Sequence, residues 1–166
     1  MHLILIASEI SEKWQYKAWR ACTKVYGIQN LDNMHWVAYE YEFLEKEVKV
    51  YDSMTNVFYV KCQKVFEMHA AIVPSLYNIG CEEGDNKMDP DVSFTFKFVP
   101  VSQQPNHHDC GVYAIKYMQC LTMRSDLNSL KDCSFPEFRK KLGIDLVLWA
   151  KTNDGKYSFT EREIRM

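Results

Sequence analysis

Cys110 lies in the stretch Gln103-Gln104-Pro105-Asn106-His107-His108-Asp109-Cys110-Gly111-Val112-Tyr113, which crowds polar, reactive and chain-breaking residues between two apolar segments. Upstream, the aromatic alternation of Phe94-Thr95-Phe96-Lys97-Phe98-Val99 predicts a strand. Downstream, the apolar spacing over 112–123 predicts a helix. A cysteine at that helix start meets unpaired backbone N–H groups and the positive end of the helix dipole, which make a thiol more acidic and more nucleophilic. A thiol of ordinary pKa, ~8.5, is still mostly protonated at neutral pH. Nucleophilic catalysis therefore asks for a base within hydrogen-bond reach and a third group to orient that base.

His35 and Asp52 suit those two roles. His35-Trp36-Val37-Ala38-Tyr39-Glu40-Tyr41 is rich enough in aromatic and branched residues to be a strand, with His35, Val37, Tyr39 and Tyr41 on one face. A charged connection at 42–46 leads to Glu47-Val48-Lys49-Val50-Tyr51, and so short a link favours an antiparallel hairpin. Pairing brings Asp52 back beside His35. Asp52 also extends the apolar stripe of Val48 and Val50, so it should be at least partly buried and need a partner. His35 would hold Cys110 as a thiolate and later protonate a leaving group, while Asp52 would fix the ring and stabilise its charged form. Donors for an oxyanion are the backbone N–H of Cys110 and the side-chain amide of Gln104, each worth roughly 2.7–4 kcal/mol in comparable sites. By itself His35 reads as a hydrogen-bonded core histidine, and Asp52-Ser53 as a turn. The combination carries the chemistry.

Other elements must position these groups. Residues 3–7 read as a short strand or as the tail of an earlier element. From Ser8 or Ser11, the residues Ile10, Trp14, Ala18, Ala21, Cys22 and Val25 recur at helical spacing, and Gly27 is the predicted stop. A second helix is predicted over 57–79 with a break or kink at Pro74, followed by an acidic surface loop at 81–91. Ser134 and Glu137 form a capping box that opens a last helix through Phe138, Leu142, Leu146 and Trp149.

The chain's 166 residues, 47% hydrophobic and 14% aromatic, suit one domain with a substantial core. A formal charge of −2 supplies no global field for nucleic acid or an anionic membrane, so neither is an expected partner. The apolar start closes at Glu9, well short of the ~20 residues of a membrane span. Six cysteines at 22, 62, 81, 110, 120 and 133 show no framework pattern and suit a reducing nucleus or cytoplasm; apart from Cys110 they read as small buried hydrophobes. His107, His108, Asp109 and Cys110 are zinc-ligand types. Neighbours within one turn rarely converge on a tetrahedral site and no second ligand pair stands at finger-like spacing, so zinc is not expected.

His35-Trp36, then Tyr51-Asp52-Ser53, then Gln103-Gln104-Pro105-Asn106 with Asp109-Cys110-Gly111, closely resemble in order and wording the ubiquitin-like-protein-specific cysteine proteases. This is the SUMO (sentrin) protease family, related to adenovirus proteinase, and the resemblance spans roughly residues 25–150. It implies an α+β, papain-like or adenain-like domain, with the helix bearing Cys110 packed on a mixed, mainly antiparallel sheet. It assigns His35, Asp52 and Cys110 to the triad, Gln104 to the oxyanion hole and Trp36 to one wall of a substrate tunnel. The implied substrate is the C-terminal Gly-Gly tail of a SUMO-like or other ubiquitin-like protein, free or conjugated, cleaved through a thioester by a monomeric enzyme, and no metal or organic cofactor is implied. Two further readings are a degenerate module that binds such a protein without turnover and an acyltransferase on a related fold. Residues 1–151 are then the catalytic domain, expected to lack part of its N-terminal region, and 152–166 a polar tail. His107 stands where many family members have glycine, a substitution costing on the order of 1 kcal/mol if the position needs a positive φ.

Overall fold

The computed structural model describes residues 3–7, 22–79, 81, 83–84 and 87–152, with side chains left undescribed at 3–7, 132, 149–150 and 152. Elements follow in the order β1 (Leu3–Ala7), β2 (Lys24–Leu31), β3 (His35–Glu42), β4 (Glu47–Tyr51), α1 (Thr55–Ile79), β5 (Thr95–Phe98), α2 (Cys110–Thr122), a 3-10 turn (Leu127–Asp132) and α3 (Phe135–Thr152). They fall into two units, Met1–Lys131 and Asp132–Met166.

In the first unit the five strands form one sheet in sequence order. β1 to β4 pair antiparallel, and β5 joins β4 in parallel after the α1 crossover. The predicted hairpin forms with Ala38 opposite Tyr51 and Tyr41 opposite Val48. Alternation then assigns the two faces. Val37, Tyr39, Tyr41, Val48 and Val50 form a core with Cys62, Phe66, Ala70 and Val73 of α1. The opposite face meets α2, where Tyr51 and Tyr117 approach at a ring-centroid distance of 6.5 Å. That face also buries Glu40 and Glu42, which pair with Lys24 and Lys49, while Tyr51 Oη donates to Glu40 at 2.9 Å. Two carboxylates on one strand tolerate burial because cations and a hydroxyl meet them.

The predicted first helix needs correction at its end, while its residues 8–21 lie outside the described set. Val25 and Gly27 belong to strand β2, not to a helix and its stop. Gly27 pairs with Tyr39, whose ring lies where a Cβ would be, so glycine serves close packing there. α1 runs on through Pro74 instead of breaking, and it starts at Thr55, two residues earlier than predicted.

In the second unit, α3 begins where the capping box places it, with Phe138 N donating to Ser134 O at 3.0 Å. Leu146 is half exposed, as are Ile144, Val147 and Leu148. These four residues point around the helix, so no single narrow stripe could cover them all.

Candidate active site

The start of β3 and the end of β4 deliver two of the predicted groups. His35 Nε2 donates to Asp52 Oδ1 at 2.7 Å, and both side chains are fully buried. Asp52 is well provided with donors: Met54 N reaches Oδ1 at 2.7 Å and Cys62 Sγ reaches Oδ2 at 3.3 Å. The Phe58 ring stacks on the His35 imidazole, with centroids 4.3 Å apart and planes inclined by 9°. Phe58 and Cys62 are one turn apart on α1, so a single helix face supports both members of the pair.

Cys110 is the first residue of α2 and is a buried free thiol. Burial works against its ionisation, but the hydrogen bond and charge of His35, with the backbone groups of Trp36 and Gly111, bring its pKa below the ordinary thiol value. Burial likewise disfavours a charged His35, yet Asp52 foremost and then Cys110 raise its pKa to about 9. The shifts are complementary: each partner favours the charged form of the other. His35 Nδ1, the nitrogen left over from Asp52, is buried without a hydrogen bond of ordinary geometry. Such contacts commonly tighten only when substrate is bound.

The loop before Cys110 is stitched to the turn after Asp52. Gln104 N donates to Ser53 O at 2.9 Å, and Ser53 Oγ donates to Gln104 Oε1 at 2.6 Å. Gln103 Nε2 donates to Asp52 O at 2.9 Å while its Oε1 accepts from Thr55 N at 3.1 Å. Gln104 Nε2 in turn donates to Asn106 O at 2.5 Å, and Asn106 Nδ2 donates to Asp109 Oδ2 at 2.6 Å. The amide predicted for the oxyanion hole is thereby aligned at both ends. Trp36 follows His35 on the opposite face, and its indole Cδ1 lies 3.5 Å from where a Gly111 Cβ would stand. His107 does not need glycine: among the described residues, positive φ at non-glycine positions occurs at Asp32, Asn33, Lys46 and Arg124.

Residues 8–148 match the family model for the C-terminal catalytic domain of the Ulp1 protease family. The chain belongs to that family. Its Ulp1-type fold is the predicted α+β one, with Cys110 opening a helix against a mixed sheet. Among solved structures, it is similar to the SUMO protease Ulp1 with the catalytic cysteine oxidised to a sulfonic acid, at 21% identity over 70% of this chain and 48% of that one, with a TM-score of 0.41. It is also similar to the C-terminal Ulp1 protease domain in complex with Smt3, the yeast orthologue of SUMO, at 20% identity over 70% and 47% of the two chains, with a TM-score of 0.39. This Ulp1-family chain thus spans about half the length of the solved structures it matches.

All five predicted positions, His35, Trp36, Asp52, Gln104 and Cys110, fall around one end of the sheet. Sequence reasoning missed Phe58, Cys62 and Ser53. Cys62 was read as a small buried hydrophobe, and its place ten residues after Asp52 carries no signal without knowing how α1 turns back over the hairpin.

Proposed function

We propose that this domain is a thiol peptidase cleaving the peptide or isopeptide bond that follows the C-terminal Gly-Gly of a SUMO-like protein. The observation that carries the reading is the buried Asp52–His35 hydrogen bond, which leaves His35 Nδ1 over, together with the Cys110 thiol at the start of α2, whose charged form His35 favours. Membership of the Ulp1 family supports the choice of substrate class.

In this mechanism the Cys110 thiolate attacks the carbonyl carbon of the last glycine. The oxyanion is met by the Cys110 N–H, which has no intrahelical acceptor at the first position of α2, and by the second N–H of the Gln104 amide. His35, protonated and held by Asp52, gives its Nδ1 proton to the departing amine as the C–N bond breaks. A thioester remains. His35 then takes a proton from water, hydroxide equivalent adds to the thioester carbonyl, and the glycine carboxylate leaves as the thiolate is restored. Trp36, beside Gly111, would cover the glycine tail on one side. A site of this kind works in the nucleus or the cytoplasm, where thiols stay reduced.

The test incubates the protein and its Cys110→Ser variant with C-terminal reporters made from a SUMO-type protein and from ubiquitin. Release from the SUMO-type reporter that disappears in Cys110→Ser supports the reading. A folded protein that releases nothing from either reporter, yet binds the SUMO-type protein, would instead be a binding module.

A further inference from the structure

Cys62 lies on the inward face of α1 and is fully buried. The two oxygens of Asp52 are unequally served: Oδ1 accepts from His35 Nε2 and Met54 N, both at 2.7 Å, whereas the hydrogen bond described at Oδ2 is that from Cys62 Sγ at 3.3 Å. A carboxylate turns easily about its last side-chain bond, a broad two-fold torsion. A buried carboxylate oxygen without a donor is costly, and the group would turn or shift to share the donors that remain. Turning would draw Oδ1 away from His35 and leave the imidazole free to tilt under Phe58. The Cys62 S–H opposes that motion.

We propose that Cys62 is a positioning residue of this site: its thiol pins Asp52 Oδ2, so that Oδ1 stays aimed at His35 Nε2 and the ring stays turned toward Cys110. The inference rests on the thiol-peptidase reading for its consequence in turnover, but its geometry concerns the His35–Cys110 pair alone. Cys62 can donate across the working pH range, because burial above all, and then the adjacent Asp52 charge, push its thiol far above the ordinary value. The titratable groups acting on His35 and Asp52 are Cys110 and Tyr117 from α2 and Cys62 from α1. Burial keeps Tyr117 un-ionised as well, so of these neighbours Cys110 is the one whose charge responds to pH alongside His35.

The experiment follows alkylation of Cys110 by iodoacetamide against pH, read by peptide mass spectrometry so that each cysteine is scored separately. Wild type is compared with Cys62→Val and Cys62→Ala, a slightly larger and a smaller side chain that both lack a donor, and with Cys62→Ser, which keeps a donor. Circular dichroism establishes that each variant is folded. The half-point of Cys110 alkylation should move upward by about half to one pH unit in the Val and Ala variants, slowing the reaction about three- to tenfold at pH values below the wild-type half-point. Cys62→Ser should return to within about twofold of wild type. An unchanged half-point in folded Val or Ala variants overturns the proposal, as does a Ser variant that behaves like Val. If one of the apolar variants fails to fold, the other and the Ser variant decide it. A wild-type Cys110 that titrates as an ordinary thiol overturns the dyad itself, and the peptidase reading with it. A normal wild-type profile with no dependence on residue 62 overturns only the role of Cys62.

Discussion

Asp52 is the diagonal cross-strand neighbour of His35. The ladder pairs Ala38 with Tyr51, so its continuation sets Asp52 opposite Val37, one pleat from His35 on the same face, and Nε2 closes on Oδ1 at 2.7 Å. The contact follows from hairpin register, and it fixes which ring nitrogen remains for Cys110. Asp52→Asn keeps the shape but removes the charge that favours imidazolium, and its NH2 group can face Nε2 and reverse the tautomer. Turnover of the SUMO-type reporter should fall by on the order of 10²- to 10⁴-fold. Asp52→Ala leaves buried donors on three sides and should cost about 3–5 kcal/mol of stability by denaturant unfolding. Near-normal turnover in folded Asp52→Asn would remove Asp52 from the mechanism.

The opposed shifts of His35 and Cys110 set a pH window. His35 is raised from 6.5 to about 9, so the stabilisation gained from its charged form is fully present below 6.5 and is lost as pH rises through about 9. Cys110 is lowered, so its contribution is lost as pH falls through that lowered value. Reporter turnover should therefore be bell-shaped, with an acid limb below the ordinary thiol range and a basic limb at about 9. Alkylation of Cys110 requires only the thiolate, so it should show the acid limb without the basic fall. A basic limb near the free imidazole value would contradict the coupling.

Gly27 separates stability from chemistry. Gly27→Ala puts a Cβ into the ring of Tyr39, a fully buried residue whose neighbours include Tyr41, Phe66 and His69. Tyr39 cannot retreat without disturbing that cluster, so the variant should lose about 1–3 kcal/mol by denaturant unfolding. Turnover per folded molecule should stay within about twofold, because His35 lies four residues from Tyr39, at the start of β3. A fully stable Gly27→Ala would mean that Tyr39 has another rotamer open to it.

The positions of His35, Asp52 and Cys110 were legible in the sequence because each depends on local rules: period two along a strand, a short connection, and polar residues before a helix. Gly27 misled for a related reason. After apolar residues at helical spacing a glycine reads as a stop, but here β2 lies between β1 and β3, and only the cross-strand neighbour Tyr39 explains the missing side chain. Phe58 and Cys62 were legible as inward positions of a helix. Which of the inward positions lies over the end of the sheet depends on the crossover from β4 through α1 to β5, which no local pattern encodes.

Ser53 shows how far a single hydroxyl can act at this site. It is buried, follows Asp52 directly, and donates to Gln104 Oε1 at 2.6 Å while its carbonyl holds Gln104 N. An amide whose oxygen is satisfied must present its NH2 group on the other side, where Asn106 O takes one hydrogen and the second is left for an oxyanion. Ser53→Ala removes one of the two contacts that tell the ends of the amide apart and leaves Asn106 O as the other. The donor is then available for only part of the time, and kcat should fall about tenfold with KM little changed, since the tetrahedral intermediate and not the bound ground state uses that N–H. Gln104→Ala loses the donor outright and should cost about 10²- to 10³-fold in kcat. If Gln104 acts through this donor, the double variant should be no slower than Gln104→Ala, because Ser53 then has nothing to orient. Independent, additive losses would show that Ser53 supports the site by another route, through the backbone turn that carries Asp52.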